Sequence, residues 1–466
     1  MTTALHQLRP GADPAPDHFD RRLVAPMVLG AILNPINSSM IAVALIPIGA
    51  GLGAAPAQTA WLVSGLYLAT AIGQPVVGRL VDLYGARRLF LAGAVLIGVG
   101  GLVGALAPSI GVLVLSRVLL GLGTCAGYPA AMTLIRGEAD RTGQDSPATI
   151  LTVLAVSTQT VAVIGPTLGG FLIGVGGWRA TFTVNVPLAL ACLVLGALYL
   201  PRGASSGRTR LGETLRAIDP LGIVLFVATL VTLLLFLTHL RADLWWLPVL
   251  SVAAGAGLTW WELRAPAPFL DLRLLGGNLP LLATYARSLL AAVTSYALLY
   301  GFTQWLEEGR GLSPQIAGLV LLPVFAAGIV VSSITGRSPR IRGKLLVGAL
   351  AQVALAVVLL FVDAQSALWF LLAVAVLAGI PQGLNNLANQ NAVYHQADPA
   401  RLGSSAGLMR TFFYLGAITA SATNGIVFRD GAGTAGMHEL ALVMLAASVL
   451  SAVLTVADRS LRRVAA

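Results

Sequence analysis

The chain has 466 residues, of which 57% are hydrophobic and only 10% charged, with a formal net charge of +10. A soluble domain carries roughly 25% charged residues, so this composition excludes a water-soluble globule. Long unbroken apolar runs such as 221–240 and 349–362, in place of short alternating segments, exclude a β-barrel and leave an all-α polytopic membrane protein.

A spanning helix needs about 20 mostly apolar residues, which divides the chain into about fourteen spans. They fall near 24–50, 57–80, 89–107, 109–135, 146–175, 180–200, 217–240, 244–263, 279–306, 314–335, 343–363, 366–395, 403–428 and 434–456. Residues 1–23 are polar and hold Pro10, Pro14 and Pro16, so they read as a disordered cytoplasmic tail. The first apolar run has no small-residue cleavage site and reads as a retained helix. Six spans occupy 24–200 and six occupy 279–456. Polar linkers at 201–216 and 264–278 bracket an inserted pair of spans at 217–263, and a short cytoplasmic tail follows at 457–466. This is the layout of two six-helix bundles with a central helical pair, and in repeat-built membrane proteins a ligand site lies at the repeat interface near the midplane.

Charge placement orients these spans. Arginines and the lysine at 9–22, 79–88, 136–141, 202–216, 264–273, 337–344, 401 and 459–463 fall on the side of the termini, against only Arg179, Arg241, Arg310 and Arg429 on the other. A bias of roughly five to one puts both termini in the cytoplasm. The basic excess therefore belongs to loops, and with no nucleic-acid-binding motif beside it a nucleic-acid partner is not expected. Cys125 and Cys192 stand apart in apolar runs and form neither a disulfide framework nor a metal site.

Between the second and third spans stands Gly78-Arg79-Leu80-Val81-Asp82-Leu83-Tyr84-Gly85-Ala86-Arg87-Arg88, read as a very short cytoplasmic loop whose glycines permit a tight turn. The fourth span carries Arg117 within Ser116-Arg117-Val118-Leu119-Leu120-Gly121. An arginine at membrane depth costs about 2.5–3.5 kcal/mol and should face protein or a wet cavity. The fifth carries Gly165-Pro166-Thr167-Leu168-Gly169-Gly170, where proline bends the helix and glycine admits a neighbour. Trp178-Arg179-Ala180-Thr181-Phe182-Thr183-Val184-Asn185-Val186-Pro187 opens the sixth.

Taken in order, these segments resemble the major facilitator superfamily, in its 14-span drug:proton antiporter branch. Gly78, Leu80, Asp82, Gly85, Arg87 and Arg88 match the family's signature loop, with Leu83 and Ala86 in place of basic residues. The resemblance implies that Gly78, Asp82, Gly85, Arg87 and Arg88 form a conformational latch. Arg117 and Gly121 match an element linked to proton coupling, with Leu120 in place of its glutamine. Gly165, Pro166, Gly169 and Gly170 match the antiporter element of exporters, with Val161 where a further glycine is usual. The resemblance implies export of small amphipathic molecules by alternating access, in exchange for protons, from a bacterial cytoplasmic membrane. It requires no bound cofactor beyond the proton gradient, and the expected partners are lipid, protons and a small-molecule substrate, with the protein a monomer. A substrate-specific metabolite transporter is the alternative within transport. A polytopic membrane enzyme is the alternative outside it, but the scattered histidines form no catalytic motif.

Candidate cavity residues are polar groups inside spans, which are costly in hydrocarbon unless they pair or line water. They are Asn34 and Asn37 in the first span, Arg287, Tyr296, Tyr300 and Gln304 in the ninth, Asn385 and Asn389 in the twelfth and Arg410 in the thirteenth. No carboxylate stands near the middle of any span, so Asp82 and Glu307 join Arg117 as the coupling candidates. Three arginines within spans without midplane acids favour a neutral or anionic substrate.

Overall fold

A computed structural model describes residues 19–462 apart from 55, 143–147, 203–218, 240–241, 313, 337, 339 and 430. Most of the N-terminal tail, most of the 201–216 linker and residues 463–466 of the C-terminal tail therefore lie outside the described residues. The described residues form helices and no strands. The long helices are α1 (Val24–Leu52), α2 (Pro56–Tyr84), α3 (Ala86–Ala105), α4 (Ile110–Thr124), α5 (Gly127–Thr142) and α6 (Ala148–Gly176). The short α7 (Ala180–Thr183) precedes α8 (Asn185–Tyr199), and α9 (Pro220–His239) and α10 (Trp246–Glu262) follow. After the short α11 (Leu272–Gly277) come α12 (Leu279–Gln304), α13 (Pro314–Thr335), α14 (Ile341–Leu359), α15 (Leu368–Gln396), α16 (Leu402–Val427) and α17 (Thr434–Ala457).

Twelve helical segments among the described residues are long and apolar enough to cross a membrane. Of the remaining spans read from the sequence, α10 has 17 residues. The other, α16, is diluted by Ser404, Ser405, Arg410, Thr411, Tyr414 and Asn424, several of them buried against neighbouring helices. Burial inside protein removes the need for an apolar surface.

Three spans differ locally from the unbroken runs read in the sequence. The fourth is split at Cys125 and Ala126 because Pro129 has no N–H for the carbonyl four residues back. The sixth is split at Val184 for the same reason at Pro187. The ninth ends in one π turn over Trp305–Gly309. The loop read between the second and third spans shrinks to a single residue. Asp82 lies in the last turn of α2, and Gly85, at φ 88°, donates to the Val81 carbonyl and starts α3 at the next position. Only glycine adopts that backbone without strain.

The first and last described residues lie at one face, called here the terminal face. The Asp20 N–H donates to Glu138 in α5 at 2.7 Å, Arg136 of α5 covers the Tyr394 ring of α15, and Gln396 donates to Ser460. Within the first half α1 packs on α6, α2 on α4, and α3 on α4 and α8. Within the second, α13 and α14 pack on α15, and α16 and α17 on α12. The halves meet where α2 packs along α16 and α6 touches α13, while α9 and α10 pack on each other, with α9 also reaching α2 and α16.

Candidate functional site

The α2–α16 seam is built from small residues. A Cβ at Gly78 would overlap the Gly403 carbonyl, and one at Gly407 would overlap the Gln74 carbonyl, so the two backbones touch. Above these contacts Thr411 Oγ1 donates to the Ala71 carbonyl at 2.7 Å. Below them Asp82 accepts from the backbone N–H groups of Gly403 and Ser404, both at 2.8 Å, and from the Ser404 hydroxyl. Those N–H groups belong to the first turn of α16, which has no intrahelical acceptors for them, and the helix dipole favours an anion there. One carboxylate on the first half thus clasps a helix end of the second. Gly85 makes the turn beside it, Arg87 donates to the Ala197 carbonyl at 2.9 Å, and Arg88 is exposed.

Beyond Tyr67 and Tyr414 the halves part around a cavity of about 1440 Å³. It reaches from Asn385, Asn389 and Arg410 at its inner end to Trp61, Thr303 and Arg429 towards the face opposite the termini. Leucines and other apolar groups supply most of its wall, including Leu234 and Leu235 of α9. The polar contribution comes from Ser38 and Ser39 of α1, Gln159 of α6, the α15 amides and the tyrosines 67, 296, 300 and 414. Tyr296 and Tyr300 lie 5.5 Å apart, and Tyr67 and Tyr414 5.9 Å apart, ring to ring. Asn385 Nδ2 and Asn389 Oδ1 are buried without a hydrogen-bond partner, which leaves them for water or a ligand. Arg410 and Arg429 are the charged residues of this wall, and among the described residues no carboxylate joins them. The half-buried Arg410 guanidinium lies 4.2 Å over the Tyr128 ring, a cation held by an aromatic face.

Of the residues singled out in the sequence, Tyr296, Tyr300, Asn385, Asn389 and Arg410 line this cavity. Asn34 and Asn37 are buried beside it. Asn34 donates to Thr70 and Thr124 and accepts from the Tyr414 hydroxyl at 2.8 Å, and Asn37 donates to Asn185 at 2.7 Å. Gln304 turns instead to Glu308. Arg287 stays away from the cavity, 1% exposed, paired with Asp458 at 3.1 Å where α12 meets the end of α17. Breaking a buried pair by removing one partner costs about 3–5 kcal/mol. Arg287→Leu is therefore expected to lower stability by about that amount in a thermal-unfolding assay, and Arg287→Leu with Asp458→Leu to recover most of it.

Arg117, Asp82 and Glu307 are not brought together. Arg117 is buried in α4 and staples α1 and α2 by donating to the carbonyls of Asn37 at 3.1 Å and Leu62 at 2.7 Å. Glu307 lies in the π turn away from the terminal face. Along α6, Gly165 abuts Ser39, a Cβ at Gly169 would lie 2.9 Å from the Met40 carbonyl, Pro166 lines the cavity, and Gly170 faces open space. Sequence reasoning missed Tyr67, Tyr414 and Gln159. A signal existed for the first two, since Tyr414 lies one helical turn after Arg410, and Ser64, Tyr67, Ala71 and Gln74 form a polar-flanked stripe at three- and four-residue spacing. For Gln159 the signal was the polar run Ser157-Thr158-Gln159-Thr160 inside the apolar α6.

Among the described residues no cluster of three or more His, Cys, Asp or Glu side chains could hold a metal ion. A bundle with this apolar exterior, enclosing a part-polar cavity between two halves that touch at one end, is a multi-pass membrane transporter. The chain belongs to the Major Facilitator Superfamily, whose family model matches residues 27–421. It is 34% identical over 443 residues to the uncharacterized MFS-type transporter YwoD of Bacillus subtilis (strain 168), covering 94% of this chain and 96% of that one. It is 30% identical over 424 residues to the tetracenomycin C resistance and export protein of Streptomyces glaucescens, covering 87% and 76%. Over 275 residues it is 32% identical to the lincomycin resistance protein of Streptomyces lincolnensis, covering 57% and 54%.

Proposed function

We propose that the protein is a proton-coupled exporter of small amphipathic molecules in a bacterial cytoplasmic membrane, working by alternating access. The observation that carries this reading is the cavity of about 1440 Å³ between the halves, reaching one face while the Asp82 clasp closes the other. The relatives named for resistance and export support the outward direction. In this reading all fourteen spans cross the bilayer, and both termini are cytoplasmic, as the basic residues at the terminal face support. The halves at 24–200 and 279–456 rock against each other, the 217–263 pair rides between them, and one chain suffices. Gly78, Asp82, Gly85, Arg87 and Arg88 work the clasp, and the Gly165–Gly170 element lets α1 and α6 pack closely as the halves move. Flux into inverted vesicles, driven by an imposed pH gradient, tests both direction and coupling. Accumulation without a gradient, or only against it, overturns the reading.

The wall charges narrow the substrate. Two cations and no carboxylate among the described lining residues favour neutral or anionic aromatic molecules, with Arg410 as the anion's contact and the tyrosines as stacking surfaces. Arg410→Gln is expected to weaken export of an anionic aromatic dye about tenfold or more, the worth of one charge-assisted hydrogen bond. A dye-efflux assay with anionic and cationic fluorophores checks this. Strong efflux of cationic ethidium would contradict it.

A further inference from the structure

A second polar site lies at the terminal face, where the inserted helix pair ends. Glu262, the last residue of α10, is 1% exposed, and its Oε1 accepts from the Leu270 N–H at 3.1 Å. Its Oε2 has no partner and is the one buried carboxylate oxygen so left among the described residues. Asp219, 5% exposed and at the start of α9, shares the same small space. A Cβ placed on Gly222 would lie within 2.7 Å of both Asp219 Oδ2 and Glu262 Oε1. Asp219 is well satisfied, accepting from Trp261 Nε1 at 2.8 Å and from the Gly222 and Phe269 N–H groups at 3.1 Å. Its backbone is held at φ 53°, a strained value for a residue with a side chain.

Two carboxylates in one buried space do not both ionise freely, and the proton goes to the one with fewer donors. Here that is Glu262. The neighbouring charges tie this pair to the clasp. Arg79 of α2, one turn before Asp82, lies within electrostatic range of the carboxylates of Glu262, Asp82 and Asp271 and of the Arg401 cation. Asp271, which follows α10, pairs with Arg401 at 3.0 Å just ahead of α16. The nearby Arg273 is spent on the Leu263 carbonyl.

We propose that Glu262 is a proton-binding site coupled to the clasp, holding its proton on Oε2 while Asp82 grips α16 and releasing it to water at the terminal face when the grip opens. With Glu262 neutral, Arg79 serves Asp82 and Asp271, and the seam is held. With Glu262 ionised, a second buried anion beside Asp219 draws Arg79 away from Asp82 and Asp271, which loosens the seam, and hydration of Glu262 at the terminal face relieves its repulsion with Asp219. Because the closed state binds the proton, closure is favoured at low pH and lost as pH rises. This rests on the Asp82 clasp being the moving gate.

The test uses the full chain in nanodiscs, with spin labels on exposed Gly137 and Ala400 either side of the seam. In the wild type the closed-to-open ratio should fall with rising pH, by up to about tenfold per unit through the transition. In Glu262→Gln it should stay closed and vary less than about twofold over the same range. Infrared spectra should show a carboxylic-acid C=O absorption in the wild type that Glu262→Gln lacks, a readout that does not depend on motion. A wild-type pH response kept in Glu262→Gln, or no such absorption, overturns the inference. If the clasp opens with substrate but ignores pH, only the proton site fails. If it opens under no condition, alternating access through this seam fails with it.

Discussion

Replacing Gly407 by alanine is expected to cut transport about tenfold to a hundredfold while leaving the protein folded. The added Cβ would overlap the Gln74 carbonyl, and neither α2 nor α16 can yield locally, because both atoms at the contact belong to helical backbone. Overpacking of this kind costs about 1–3 kcal/mol, and each 1.4 kcal/mol is a factor of ten. The cost falls only on the closed seam. Gly78→Ala, against the Gly403 carbonyl, should behave alike. Spin-label distances across the seam should lengthen in both variants, while thermal unfolding stays close to wild type. Wild-type transport with unchanged distances would refute the argument.

The second large effect is expected at Asp82. Its carboxylate accepts from the Gly403 and Ser404 N–H groups and from the Ser404 hydroxyl. Asp82→Ala leaves those donors without their acceptor at a part-buried seam. A hydrogen bond to a charged group contributes about 1.5–3 kcal/mol, so losing the set shifts the clasp equilibrium by about 3 kcal/mol or more, over a hundredfold. Asp82→Asn keeps one acceptor oxygen and should lie between Asp82→Ala and the wild type. The two effects have a common sign, since both favour the open seam, and combining Asp82→Ala with Gly407→Ala should add little once closure is lost. Transport rate and seam distance, measured on the wild type and these four variants, check the ordering. A double variant far worse than either single one would mean that one substitution acts elsewhere.

Much of this was legible along the chain because membrane spans are a local property. An apolar run long enough to cross lipid needs no distant partner to be recognised, and among the described residues twelve helical segments meet that test. The Gly78–Arg88 segment was legible as a turn for a similar reason, since Gly85 takes a positive φ that other residues resist. Its shortness was not, because Leu83 and Tyr84 continue α2 where polarity alone marks a loop.

What the amino-acid order determined by itself is therefore the solvent this protein lives in, the helices that cross it and the glycines where two of them can touch. The tertiary structure alone decided what each buried polar group does. Arg287 and Arg410 look alike in sequence, each a single cation inside an apolar helix. Packing brings Asp458, 171 positions away, against the first and the Tyr128 ring and an open cavity against the second. Asp82 and Glu262 differ in the same way, one saturated by the end of α16 and the other left with a bare oxygen. The reason is range. Hydrophobic transfer into lipid acts on each segment separately, whereas the state of a buried charge depends on which distant groups come within a few ångströms of it.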